Sequence, residues 1–96
     1  MHARATTVRI GEEAAEQAIG QYRSTLSTFR GIEGNRGAFL LVDRTRGRGI
    51  GVTLWESEQA MVESREQADR LRQQVAADAG GEIESVDEYE VAVWEV

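Results

Sequence analysis

The sequence has no cysteine and no lysine, and it carries a single histidine. Without cysteine the chain can form neither disulfides nor thiolate metal sites, offers no thiol nucleophile, and bears no mark of an oxidising compartment. The absence of lysine removes Schiff-base chemistry. All eleven basic residues are therefore arginine, a composition that reads as codon bias rather than function. A long hydrophobic run is missing too: nothing apolar follows the basic residues of the opening MHARATTVRIGEE, and no segment approaches the roughly twenty apolar residues of a membrane span. The expectation is a soluble, cytoplasmic protein with no membrane partner. Positive charge is in deficit, with seventeen acidic residues against eleven basic and a net charge of −6, which disfavours nucleic acid and anionic lipid as partners. The one histidine, His2, lies beside the N-terminus, where chains fray. It is expected at the surface, with no catalytic or metal role, and no serine, histidine and aspartate constellation can be built around it.

What is present reads as a single domain spanning residues 1–96. A chain of 96 residues buries only roughly two thirds of the surface that its unfolded form exposes, so its core is modest and oligomerisation would help it. Neither linker nor internal repeat interrupts it. Ala3–Ile10 ends in β-branched residues before Gly11 and reads as a first strand. From Glu12 to about Arg30, the residues Ala15, Ile19, Tyr22, Leu26 and Phe29 recur at three- and four-residue steps, one apolar stripe of an amphipathic helix. Gly20 falls opposite that stripe, and Gly31 and Gly34 end the helix. Two apolar runs, Ala38–Val42 and Ile50–Trp55, flank a turn rich in arginine and glycine and predict a hairpin. Ser57 suits the N-cap of a second helix from Glu58 to about Ala79, with Met61, Ser64, Ala68, Leu71 and Val75 on its inner stripe. Gly80 and Gly81 end it, and the valine-rich IESVDEYEVAVWEV reads as the last strand.

Two clusters invite a sharper reading and fail it. The acidic trio Glu12, Glu13 and Glu16 would suit a hard cation, but a solvated first helical turn explains it without one. RTRGRGIG gathers Arg44, Arg46 and Arg48 among glycines, yet it leads into a strand rather than a helix N-terminus, so phosphate-loop geometry is not met. A flexible hairpin tip accounts for it.

The resulting order, β-α-β-β-α-β, is the α+β, ferredoxin-like plan: a four-stranded antiparallel sheet with both helices on one face. The runs AFLLV and VAVW are apolar on successive residues, as strands buried on both faces are. Helices enough for one face leave the other for a second copy, so a homodimer is expected.

Within this frame, VTLWESEQAM, with Trp55-Glu56-Ser57, Ala60 and Met61 following the hairpin, and the final YEVAVWEV resemble the antibiotic-biosynthesis-monooxygenase-like family of dimeric α+β barrel proteins. The resemblance spans the chain. It implies paired ferredoxin-like subunits with sheets face to face and, in each, a small cavity between helices and sheet. It implies as activity a cofactor-free monooxygenase acting on a small apolar or aromatic molecule; the alternative is a non-catalytic dimeric binding or structural module. In the haem-degrading branch of that family, the helix after the signature carries a second tryptophan and a histidine, working with an asparagine on the first strand. Here Ser64 stands nine residues after Trp55, the stretch 56–79 has no aromatic residue or histidine, and the first strand offers Thr6 and Thr7. Haem chemistry of that kind is disfavoured, and neither cofactor nor metal is expected.

The candidates for a ligand cavity are Thr7, Tyr22, Thr53, Trp55, Ser64 and Arg65. Trp55 brings an indole donor, Tyr22 a phenol on the inner stripe, and Arg65 borders the second stripe, where a solvated position or pairing with a glutamate such as Glu58 or Glu66 is the plainer role. Strand alternation puts Gly51, Thr53 and Trp55 on one face. If the helices cover that face, Gly51 and Thr53 floor a recess, Trp55 is its rim, and Tyr22 with Ser64 or Arg65 its roof. Ordinary core packing of Tyr22 and Trp55 is the competing reading, and a pocket smaller than one aromatic ring would count against enzyme and binder alike.

Overall fold

The structure, a computed structural model, describes residues 1–11, 14–78 and 80–96. The elements follow the expected order: β1 His2–Arg9, α1 Ala15–Arg30, β2 Asn35–Asp43, β3 Arg48–Trp55, α2 Glu58–Glu63, α3 Arg65–Asp78 and β4 Glu82–Glu90. The strands form one antiparallel sheet in the order β2-β3-β1-β4. This is the ferredoxin-like arrangement, with the helices over one face. Of the acidic trio, Glu12 and Glu13 lie outside the described residues, and Glu16 pairs with Arg44 at 2.6 Å.

Glycine permits two of the sharp approaches. Gly34, at φ 84°, ends the turn after α1, where a Cβ would stand 2.5 Å from the Ala60 Cβ; Gly47, at φ 66°, forms the hairpin tip. Asp43 Oδ1 accepts from the Arg46 amide to close that hairpin, and Ser57 caps α2 by accepting from the Ala60 amide.

Three expectations are corrected. The second helix is two pieces. At Ser64 the Met61 carbonyl accepts from Ser64 Oγ at 2.7 Å and from Arg4 Nη2 at 2.8 Å, and side-chain bonds of this kind to a helix carbonyl bend or break it. The run Val91–Trp94 lies beyond β4: its neighbour β1 begins at His2, the Val91 amide reaches only the Met1 carbonyl, and Val93 and Trp94 stay 86% and 54% exposed. His2 is not frayed but opens β1 opposite Trp55 and Glu90, with Nδ1 buried.

Register labels the two faces. Arg4, Thr6, Gly51, Thr53 and Trp55 lie under the helices, where a core of Phe29, Ile32, Trp55, Met61 and Ala68 forms. The opposite face carries Ala5, Thr7, Ile50 and Val52 at the centre, with Phe39, Leu41 and Tyr89 exposed around them.

Candidate functional site

Between α1, α3 and the helix-covered face lies an apolar cavity of about 70 Å³. Gly51 and Thr53 form part of its floor, Val8 and Leu40 flank them, Tyr22 and Phe29 close it from α1, and Val75 and Ala76 from α3. The lack of a side chain at Gly51 keeps it open, since a Cβ there would come within 3.0 Å of Tyr22 Cε2.

Tyr22 is fixed in the wall. Its hydroxyl donates to the Phe39 carbonyl at 3.0 Å and the Val52 carbonyl at 3.3 Å, and burial pushes its pKa up to about 12. It is thus a neutral phenol near pH 7, not a ready base. Thr53 accepts at Oγ1 from the indole of Trp55 at 3.0 Å.

The remaining candidates stand elsewhere. Thr7 lies on the opposite face of the sheet, and Thr6 takes the place in the cavity wall. Trp55, with 0% of its surface exposed, is packed among core residues instead of rimming the recess. Ser64 is buried but bonds Met61 and Arg4. Arg65 is exposed and paired with a glutamate, as its plainer reading had it, but the partner is Glu88 on β4, while Glu66 holds Arg70.

Sequence reasoning missed the buried Arg4 and the partly buried Arg72. Arg4, 1% exposed, donates through Nε and Nη2 to Glu88 at 3.1 and 2.9 Å and through Nη1 to Ser64 at 3.3 Å, and lies 5.5 Å from the Trp55 ring centroid. A full set of partners is what makes a buried guanidinium tolerable. The only local signal was its alternation with Thr6 and Val8, which marks a face and not its burial. Arg72, from α3, borders both the apolar cavity and an open polar groove alongside β4. Burial, and after it the charge of Arg4, pushes the Arg72 pKa below its ordinary value. Among the described residues, no group of three or more histidine, cysteine, aspartate or glutamate side chains is placed to hold a metal ion.

A four-stranded antiparallel sheet with helices over one face is the fold of the antibiotic biosynthesis monooxygenase-like proteins, and comparison with solved structures bears out that resemblance at the level of the fold. A candidate antibiotic biosynthesis monooxygenase from Deinococcus radiodurans superposes with a TM-score of 0.73 at 13% identity, covering 100% of this chain and 97% of its own. SnoaB, a cofactor-independent oxygenase from Streptomyces nogalater, gives 0.72 at 12% identity over 97% and 94% of the two chains. MhuD, a haem-degrader from Mycobacterium tuberculosis with two haems bound in its active site, gives 0.72 at 19% identity over 100% of each. No family model matches the sequence. Among curated proteins, the uncharacterized Rv2557 of Mycobacterium tuberculosis is 37% identical over 93 residues, 96% of this chain and 41% of that protein. Rv2558 of the same organism is 31% identical over 94 residues, 97% and 39% of the two. The chain spans about two fifths of the length of these relatives.

Proposed function

We propose that this chain is a cytoplasmic, homodimeric protein, residues 1–96 acting as one unit, that holds a small apolar molecule between α1, α3 and the sheet. The cavity carries this reading: its walls are apolar, its floor is opened by Gly51, and its one phenol is tied to backbone carbonyls. Its 70 Å³ is less than half of the roughly 150 Å³ that admits benzene in an engineered cavity, which counts against an enzyme or binder acting on an aromatic molecule, and the reading is confined to ligands smaller than an aromatic ring.

A cofactor-free oxygenase is the second reading. It is supported by the fold shared with SnoaB, and in such chemistry the substrate supplies the electrons while the protein orients and desolvates it; the cavity of about 70 Å³ counts against it. Haem stays outside the proposal: the cavity is far too small for a tetrapyrrole, and no histidine, cysteine or methionine lines it.

The test is a titration of isotope-labelled protein with short alkanes and alcohols, followed by the amide resonances of Val8, Thr53 and Val75. Saturable shifts confined to those residues, lost in the cavity-filling Ala76→Phe, are expected. Silence in a folded wild-type protein contradicts the reading.

A further inference from the structure

Two hydroxyl groups on the floor of the cavity carry hydrogens with no acceptor. Thr6 and Thr53 line the cavity, each 7% exposed. Register sets Thr6 directly across from Gly51, and Thr53 lies two residues further along β3. The two side chains are therefore diagonal neighbours on the helix-covered face, within reach of one small group, beside the gap that Gly51 leaves under Tyr22. The Thr53 oxygen takes the indole hydrogen of Trp55, which leaves its own hydrogen to be placed. Among the described residues, neither that hydroxyl nor the Thr6 hydroxyl donates a hydrogen bond. The unpartnered Thr6 oxygen is open to its surroundings, whereas the unpartnered Nε of Arg72 is enclosed.

The third hydroxyl of the cavity is already committed, since Tyr22 gives its hydrogen to the Phe39 and Val52 carbonyls. A hydroxyl hydrogen that faces hydrocarbon forfeits a hydrogen bond, and unmet donors are rarer in folded proteins than unmet lone pairs. The group that completes the floor is thus an oxygen with lone pairs and no hydrogen of its own. Around it, Val8, Ala18, Phe29 and Val75 present hydrocarbon, which suits alkyl groups and makes a charged ligand costly.

We propose that the site takes a small neutral carbonyl compound, an aldehyde or ketone, with its oxygen on the hydroxyls of Thr6 and Thr53 and its alkyl groups against Val8, Ala18 and Val75. The cavity of about 70 Å³ limits it to roughly three or four non-hydrogen atoms. This assignment rests on the cavity being the ligand site, and it names the class of ligand.

The experiment compares three probes by amide-shift titration of labelled protein: propanone; 2-methylpropene, which has the same shape with CH2 in place of the oxygen; and propan-2-ol, which brings a hydrogen of its own. In the wild type, propanone is expected to bind more tightly than propan-2-ol. Thr6→Val keeps the shape of the side chain without its hydroxyl, and should weaken propanone about three- to tenfold, the range for a neutral hydrogen bond, while leaving 2-methylpropene unchanged. Thr6→Ser, which keeps the hydroxyl, should keep the preference for propanone. Because Thr6→Val breaks no internal bond, its unfolding midpoint should not fall. Propan-2-ol bound as tightly as propanone overturns the carbonyl class. Binding of 2-methylpropene alone, or an equal effect of Thr6→Val on propanone and 2-methylpropene, overturns the hydrogen bond and leaves the cavity reading standing. No binding of any of the three to folded wild-type protein overturns both.

Discussion

With no exposed surface and its indole N–H given to Thr53, Trp55 fills the space between Phe29, Ile32, Met61 and Ala68. Trp55→Phe should therefore lower stability by about 1–3 kcal/mol in urea unfolding, and an unchanged midpoint would show that the ring borders empty space. Glu88 makes a separate prediction. The hydrogen bond from Arg65 first, and then that from Arg4, outweighs burial and holds its carboxyl below the ordinary 4.5. A carboxyl with a lower pKa folded than unfolded contributes fully above the unfolded value and loses that contribution as pH falls through the folded one. Wild-type stability should thus fall off below about pH 4.5, and Glu88→Gln should reduce the steepness of that fall while lowering stability at pH 7. Unfolding midpoints across the acid range check this, and an unaltered slope contradicts it. Neither role of Glu88 could be read from the sequence, because the partner of Arg4 lies 84 residues away and no periodicity links them. The shared face of Gly51, Thr53 and Trp55 was legible from alternation. Alternation also separates Thr6 from Thr7 but does not say which of them the helices cover.

At the scale of elements, helix α1 and the β2–β3 hairpin were legible because a stripe at helical spacing and two apolar runs around a glycine turn have few other solutions. The break between α2 and α3 was not, because the same inner stripe, from Met61 through Ser64 to Ala68, continues across it. Its cause is a guanidinium from β1 bonding a helix carbonyl. The end of β4 misled for a different reason: Val91–Trp94 has strand composition, but a strand needs a neighbour, and β1 runs out at His2. Gly20 provides a test within α1. It is exposed, and a Cβ built there meets nothing within 4 Å, so Gly20→Ala should stabilise by about 0.5–1 kcal/mol. A loss of stability would mean that this face of α1 is covered in the assembled protein.

The whole molecule presents an apolar sheet face with Phe39, Leu41 and Tyr89 exposed at 40%, 52% and 55%. Uncovered patches of this sort mark association, and an isologous pair places the same face of two copies together. Sedimentation equilibrium at micromolar concentration should return twice the chain mass, and Val52→Asp, at the centre of that face, should return the monomer with reduced solubility. A monomeric wild type would remove the dimer. The cavity under the helices is the centre of the functional reading, and xenon, an apolar probe that enters dry cavities, tests it most directly. In crystals of the protein pressurised with xenon, one ordered peak is expected between Gly51, Tyr22 and Val75. Well-ordered density for those side chains with no xenon between them would contradict the account.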